Sequence, residues 1–145
     1  MENYKKVFIT GAAGFIGSHL TKKSLQEGLK VGILKREHSN MWRIEDVLDK
    51  VRIYNADLRD NYEISKAISH FGPDIVFHLA TYYAVEHTSD EIVPMIESNV
   101  LGTTNLLEAS KDSAALFVNT SSSFVYKDSA DKSESKMVQI TRGGR

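Results

Sequence analysis

The sequence predicts an α/β domain built as a doubly wound parallel sheet, and three observations predict it. Five strand-like segments alternate with segments of helical periodicity along the 145 residues. One of them, Asp74-Ile75-Val76-Phe77-His78-Leu79, is continuously apolar at its centre, as a parallel strand covered on both faces should be. The first, Lys6 to Thr10, runs straight into Gly11-Ala12-Ala13-Gly14-Phe15-Ile16-Gly17 and then Ser18-His19-Leu20, a glycine-rich turn between a strand and a helix. In that setting a glycine pattern predicts a phosphate site.

Each glycine of the turn has its own task. Gly11 allows the tight turn, Gly14 lets backbone approach a diphosphate, and Gly17 lets the helix lie close on the strand. The free N–H groups of the first helical turn, with the helix dipole behind them, suit an anion. The helix is expected to carry Ile16, Leu20 and Leu25 toward the sheet and to end near Gly28.

Val31-Gly32-Ile33-Leu34 is the second strand. Its end is where a dinucleotide ribose is read, and an Asp or Glu there would bond the 2′-hydroxyl of NAD. Lys35-Arg36 stands there instead, a cation pair suited to a 2′-phosphate, so NADP is the preferred coenzyme. Glu37, one step on, keeps NAD open.

Residues 38–50 suggest a short helix over the sheet through Trp42, Ile44, Val47 and Leu48. Val51-Arg52-Ile53-Tyr54-Asn55 alternates apolar with polar, the pattern of a half-exposed edge strand. Asp60 with Glu63 predicts a capping box, opening a helix with Ile64, Ala67, Ile68 and Phe71 on one face and ending at Gly72-Pro73. After the fourth strand, Thr81 to Asp90 is polar and aromatic, fit for a loop at the ligand-binding edge of the sheet. A long helix follows, aligning Ile92, Ile96, Val100 and Leu107, with Pro94 expected in its first turn. Ala115-Leu116-Phe117-Val118-Asn119 is the fifth strand, and the strand order expected is 3-2-1-4-5.

Composition closes off several classes. With 41% hydrophobic and 26% charged residues the chain is an ordinary globular sequence, long enough for one domain. A net charge of -1 argues against a nucleic-acid partner. No apolar run approaches a membrane span and the first residues lack a signal-peptide core, so no membrane partner and a cytoplasmic location are the default expectation. The absence of cysteine excludes a thiol nucleophile, and the five scattered histidines give no metal-ligand spacing.

The glycines of the turn fall three apart, with Thr10 before them and Phe15-Ile16 inside. That pattern resembles the extended short-chain dehydrogenase/reductase family, the NAD(P)-dependent nucleotide-sugar epimerases, dehydratases and reductases on a Rossmann fold. Further stretches are similar to the family's elements. Asp57-Leu58 resembles its adenine-contacting pair, and His78-Leu79-Ala80, running into Thr81, its fourth-strand ending beside the coenzyme. Asn99-Val100-Leu101-Gly102-Thr103 resembles its Asn-x-x-Gly-Thr element, in which the Asn helps order a proton path. Thr120-Ser121-Ser122-Ser123-Phe124-Val125-Tyr126 resembles its catalytic hydroxyl turn, with Ser122 at the catalytic position and Ser121 or Ser123 the nearest rivals. A small hydroxyl at a strand end can hydrogen-bond a substrate oxygen whose charge changes as hydride moves.

The resemblance implies an acid/base Tyr with a Lys four residues on, past the serine turn. None follows: Tyr126 is the last tyrosine, residues 127–145 read as a polar tail, and Tyr62 to Lys66 matches the spacing only on a helix away from the ligand edge. The expectation is therefore the coenzyme-binding portion of such an enzyme, residues 1–126, truncated before the later strands and substrate region and not competent for turnover alone. The nucleotide sugar would be met by the complete enzyme, and a homodimer is open. The alternative is a non-catalytic NAD(P)-binding sensor or partner-binding module. In either case the outer edge of strand five is expected to lack a partner unless the tail or another chain covers it.

Overall fold

The computed structural model describes residues 4–84, 86–114, 116–121 and 138–142. In chain order the elements are β1 Lys6–Thr10, α1 Phe15–Gln26, β2 Lys30–Lys35, β3 Val51–Asn55, α2 Asn61–Phe71, β4 Ile75–His78, α3 Ser89–Ile96, α4 Gly102–Ser110, β5 Leu116–Thr120 and β6 Val138–Arg142. A 3₁₀ segment occupies Trp42–Lys50, and a single π-helical turn, Glu97–Leu101, joins α3 to α4. The strand order is β3-β2-β1-β4-β5-β6. The first five strands run parallel in the expected order, a doubly wound Rossmann-type sheet.

The tail covers the outer edge of β5, the condition under which that edge is expected to find a partner. Val138–Arg142 pairs antiparallel with β5, Ile140 standing opposite Val118. Val138-Gln139-Ile140-Thr141-Arg142 alternates β-branched with polar or charged residues, a half-exposed strand pattern, and the outer ladder of β5 offers the backbone groups it needs.

Alternating residues of the central strands divide the core in two. Phe8, Val76 and Phe117 pack on one face with Ile64, Ile68 and Phe71 of α2 and Leu106 of α4. Val7, Ile9, Val31 and Ile33 pack on the other, where Ile44 of the 3₁₀ segment is fully buried. Asp60 caps α2 by accepting the Glu63 N–H at 3.1 Å. Glu63 does not complete the box, because its carboxylate pairs with Lys66 at 3.3 Å while the Asp60 N–H is taken by the Asp57 carbonyl. Gly28 ends α1 as expected, its N–H and that of Leu29 closing on the carbonyls of Leu25 and Ser24.

Two helices depart from the faces periodicity predicts, α1 only in part. Leu20 and Leu25 pack half-buried against the core as expected, whereas Ile16 is 64% exposed and the buried positions of α1 are Gly17, Ser18, Thr21 and Ser24. The Ile92, Ile96, Val100 and Leu107 stripe lies outward, while α4 turns Gly102, Asn105, Leu106 and Ser110 inward. Pro94 falls in the second turn of α3.

Asp74 fixes the register of β4 against β1 from outside the ladder. Its Oδ2 accepts the N–H groups of Lys5 and Lys6 at 2.7 and 2.8 Å. Asp74→Ala is expected to cost about 2 kcal/mol in urea unfolding, since two backbone donors lose a charged acceptor. A midpoint matching that of the parent chain would refute that role.

Candidate functional site

The carboxyl ends of β1 to β4 open onto a cleft of about 770 Å³. At its centre β1 ends in Gly11, whose φ of +71° turns the chain away from the strand. A Cβ on Gly11 would lie 2.8 Å from the Ala80 nitrogen, so the turn and the end of β4 touch backbone to backbone. The Gly14 N–H closes the turn on the Gly11 carbonyl at 2.9 Å, and Gly14 then acts as N-cap of α1. The first helical bond is from the Ser18 N–H to the Gly14 carbonyl. No side chain caps the amides ahead of it and the first turn carries no acidic residue. An N-terminus of this kind is an anion site by geometry and dipole.

Around that centre the expected residues fall into three groups. Gly11, Gly14, Lys35, Arg36, Asp57, Leu58, Leu79, Ala80 and Thr81 all border the one cleft. Phe15, Ile16 and Gly17 have no side chain in it: Phe15 and Ile16 point outward, and Gly17 is buried against the turn. Asn99 stands behind the loop that follows β4. Ser122 and Tyr126 lie outside the described residues. Tyr62 is 73% exposed on α2 with the Lys66 ammonium 5.9 Å from its ring, and neither borders the cleft.

Several partners of these residues carry no signal in sequence spacing. Asp57 is held by Arg59, whose Nε and Nη2 donate to Oδ1 and Oδ2 at 2.9 and 3.1 Å. Those bonds hold the Asp57 carboxyl below its usual range against the opposing effect of burial, and they raise the guanidinium in turn. The third arm of the fork reaches Glu97 of the π turn at 3.2 Å, tying the β3 loop to the α3–α4 junction. Leu58 is a core residue whose Cβ would meet any side chain at Gly102, and its carbonyl accepts the Asn105 amide at 2.9 Å.

Asn99 grips the loop after β4. Its Oδ1 accepts the Tyr82 N–H at 2.7 Å and the Thr81 hydroxyl at 3.1 Å, and its Nδ2 donates to the Tyr82 carbonyl at 2.9 Å. One amide side chain thus serves both backbone groups of Tyr82, as a neighbouring strand would. The Tyr82 hydroxyl donates to Glu91 at 3.0 Å, and Glu91 also accepts the Thr88 N–H at 2.9 Å. These bonds lower the Glu91 carboxyl, the Thr88 amide contributing most, and raise the Tyr82 phenol.

Beneath the loop lies a directed chain of hydrogen bonds through His78, which is 3% exposed. The Thr103 hydroxyl donates to the Asn99 carbonyl at 2.7 Å, so it accepts from His78 Nε2 at 2.9 Å. His78 Nδ1 must then accept the Thr10 hydroxyl at 2.6 Å, and Thr10 Oγ1 accepts the Ala80 N–H at 3.2 Å. Burial holds the imidazole neutral by pushing it down to about 4.

A doubly wound sheet with an uncapped glycine turn at the end of its first strand defines a Rossmann-type domain with its cleft at the mouth of the first helix. The chain belongs to the family described as NAD dependent epimerase/dehydratase, whose profile matches residues 7–141. Among curated relatives it is 31% identical over 123 residues to the UDP-N-acetyl-alpha-D-glucosaminuronate decarboxylase of Bacillus cytotoxicus, covering 84% of this chain and 38% of that protein. Among solved structures it resembles the Thermus thermophilus UDP-glucose 4-epimerase in complex with NAD, at 34% identity and TM-score 0.65 over 74% of this chain and 34% of that one. An epimerase of Methanothermobacter thermautotrophicus superposes at TM-score 0.77 with 29% identity, over 96% of this chain and 42% of that one. The chain spans about two fifths of the length of that decarboxylase and a third to two fifths of those two solved chains.

Proposed function

We propose that this chain is the coenzyme-binding portion of a nucleotide-sugar epimerase, dehydratase or reductase, and that it takes NADP in preference to NAD. The observation that carries the reading is the mouth of α1, uncapped and free of acidic side chains, opening from the central strand onto a cleft bordered by Lys35 and Arg36. The amides of Phe15, Ile16 and Gly17 would hold the diphosphate. Asp57, kept ionised by Arg59, would accept the adenine amino group, with the Leu58 backbone beside it. Lys35 and Arg36 would pair with a 2′-phosphate. When bound, the coenzyme supplies a hydride acceptor and donor.

The roles of the remaining residues rest on the family resemblance together with the geometry of the β4 end. Thr81 and the Leu79-Ala80 backbone would wall the nicotinamide side, and Asn99 would act by holding that wall in place. Ser122 would donate a hydrogen bond to the oxidised or reduced oxygen of the sugar. Turnover by these 145 residues is expected to be negligible, because no tyrosine with a lysine four residues on follows Ser122. A non-catalytic NAD(P) sensor is the rival reading, and a partner affinity that differs between oxidised and reduced coenzyme would favour it.

Calorimetric titration tests the coenzyme assignment. NADP should bind at least about tenfold tighter than NAD, as charge-assisted bonds to one phosphate allow. The double variant Lys35→Ala/Arg36→Ala should erase the difference and leave NAD affinity nearly unchanged. A preference untouched by the double variant would remove the NADP assignment, and no binding of either coenzyme would remove the whole reading.

A further inference from the structure

We infer that Tyr83 is an aromatic platform for the nicotinamide ring of the dinucleotide. The inference rests on the coenzyme reading above and goes beyond it by assigning the far end of the cleft. Tyr83 borders the cleft and is 79% exposed. Its hydroxyl has no hydrogen-bond partner among the described residues. Its neighbour is the opposite: Tyr82 is fixed at its N–H and carbonyl by Asn99 and at its hydroxyl by Glu91. A residue pinned at three points leaves the next one little freedom of backbone, so the exposed ring of Tyr83 is presented rather than adrift.

The order of chemistry along the sheet edge says what it is presented to. Asp57 follows β3, Lys35-Arg36 follows β2, the glycine turn follows β1, and Thr81 to Tyr83 follow β4. These four stations span three strand spacings, ~14 Å in all. An acceptor for a base, cations for a ribose phosphate, amides for a diphosphate and then an aromatic face match, in sequence, the parts of one dinucleotide. A flat nicotinamide ring, oxidised or reduced, stacks on a phenol face, and the exposed apolar surface of both is removed from water.

The test compares the chain with Tyr83→Ala and Tyr83→Phe, each checked for an unchanged melting curve. Two probes are titrated: NADPH, followed by its nicotinamide fluorescence, and the 2′-phosphate of ADP-ribose, which lacks the nicotinamide half. Tyr83→Ala should weaken NADPH at least about fivefold and remove the fluorescence change, with ADP-ribose phosphate unaffected. Tyr83→Phe should bind both like the parent chain. Equal NADPH affinity in Tyr83→Ala, or equal weakening of both probes, would overturn the platform while leaving the coenzyme site standing. Failure of the parent chain to bind either probe would overturn the site and the platform together.

Discussion

Replacing Gly17 by alanine is expected to leave the chain without a stable fold. A Cβ at that position would stand 2.1 Å from the Gly11 carbonyl oxygen and 2.8 Å from the Ala12 Cα, both backbone atoms with no rotamer to swing aside. Relief requires α1 or the turn to move. The turn cannot retreat, because Gly11 itself sits against the backbone of Leu79 and Ala80. The cost therefore exceeds the ~1–3 kcal/mol of ordinary overpacking, against a total stability of about 5–15 kcal/mol for a domain. Gly14→Ala is the control. Its Cβ would meet only the Gly11 oxygen, at 3.1 Å, and otherwise faces the cleft. That variant should fold, losing less than about 1 kcal/mol, yet bind coenzyme at least about tenfold more weakly because a methyl group occupies the phosphate's approach. Urea unfolding and calorimetry on both separate the two roles. A parent-like midpoint for Gly17→Ala would refute the packing account, and parent-like affinity for Gly14→Ala would refute the phosphate account.

The contrast between these two glycines marks what the sequence could and could not convey. The strand order, the glycine turn and the Asp60 cap were legible because each depends on neighbours within a few residues, or on apolar runs that only a sheet interior accommodates. The face of α1 was legible only in part. Leu20 and Leu25 pack on the core as periodicity expects. Close approach to the turn, however, selects small residues, so Ser18, Thr21 and Ser24 are buried while Ile16, the more apolar residue, is left outside. Periodicity likewise found an apolar stripe on α3 and α4 but could not say which side of the helix meets the sheet; Gly102 against Leu58 decides that. The site divides in the same way. Lys35 and Arg36 were singled out by the end of the second strand, and Asp57, Leu58, Leu79 and Ala80 by family resemblance. The Arg59 fork, the grip of Asn99 on Tyr82 and the His78 chain instead join positions 17 to 68 residues apart through side-chain hydrogen bonds, which leave no period in the sequence. Arg59 had the nearest thing to a signal, standing two residues after Asp57 in a turn.

Acidification should destabilise the chain well above the pH at which carboxylates titrate, and His78 is the reason. An unfolded histidine takes up its proton near pH 6.5, while burial holds the folded imidazole down to about 4. Above pH 6.5 both states are neutral and stability is whole. Between the two values the unfolded chain binds a proton that the folded chain does not, so stability falls as pH falls, by about 3 kcal/mol across the window, and levels off below it. Asp57 and Glu91, whose carboxyls are lowered, shed their contributions only further down, as pH falls past the ordinary carboxylate range. Urea midpoints between pH 7 and 4.5 should therefore slope downward for the parent chain and run much flatter for His78→Gln, even though that variant starts lower at pH 7. Coenzyme affinity of the folded chain should instead hold across that window and fall only as pH nears 4, where the folded imidazole itself takes up a proton. An imidazolium has no lone pair for the Thr10 hydroxyl, so protonation breaks the chain that joins the end of β1 to Asn99 and the loop it holds. A slope as steep in His78→Gln as in the parent would mean that some other group senses the acid, and the buried chain would then be scaffolding without a part in the pH response.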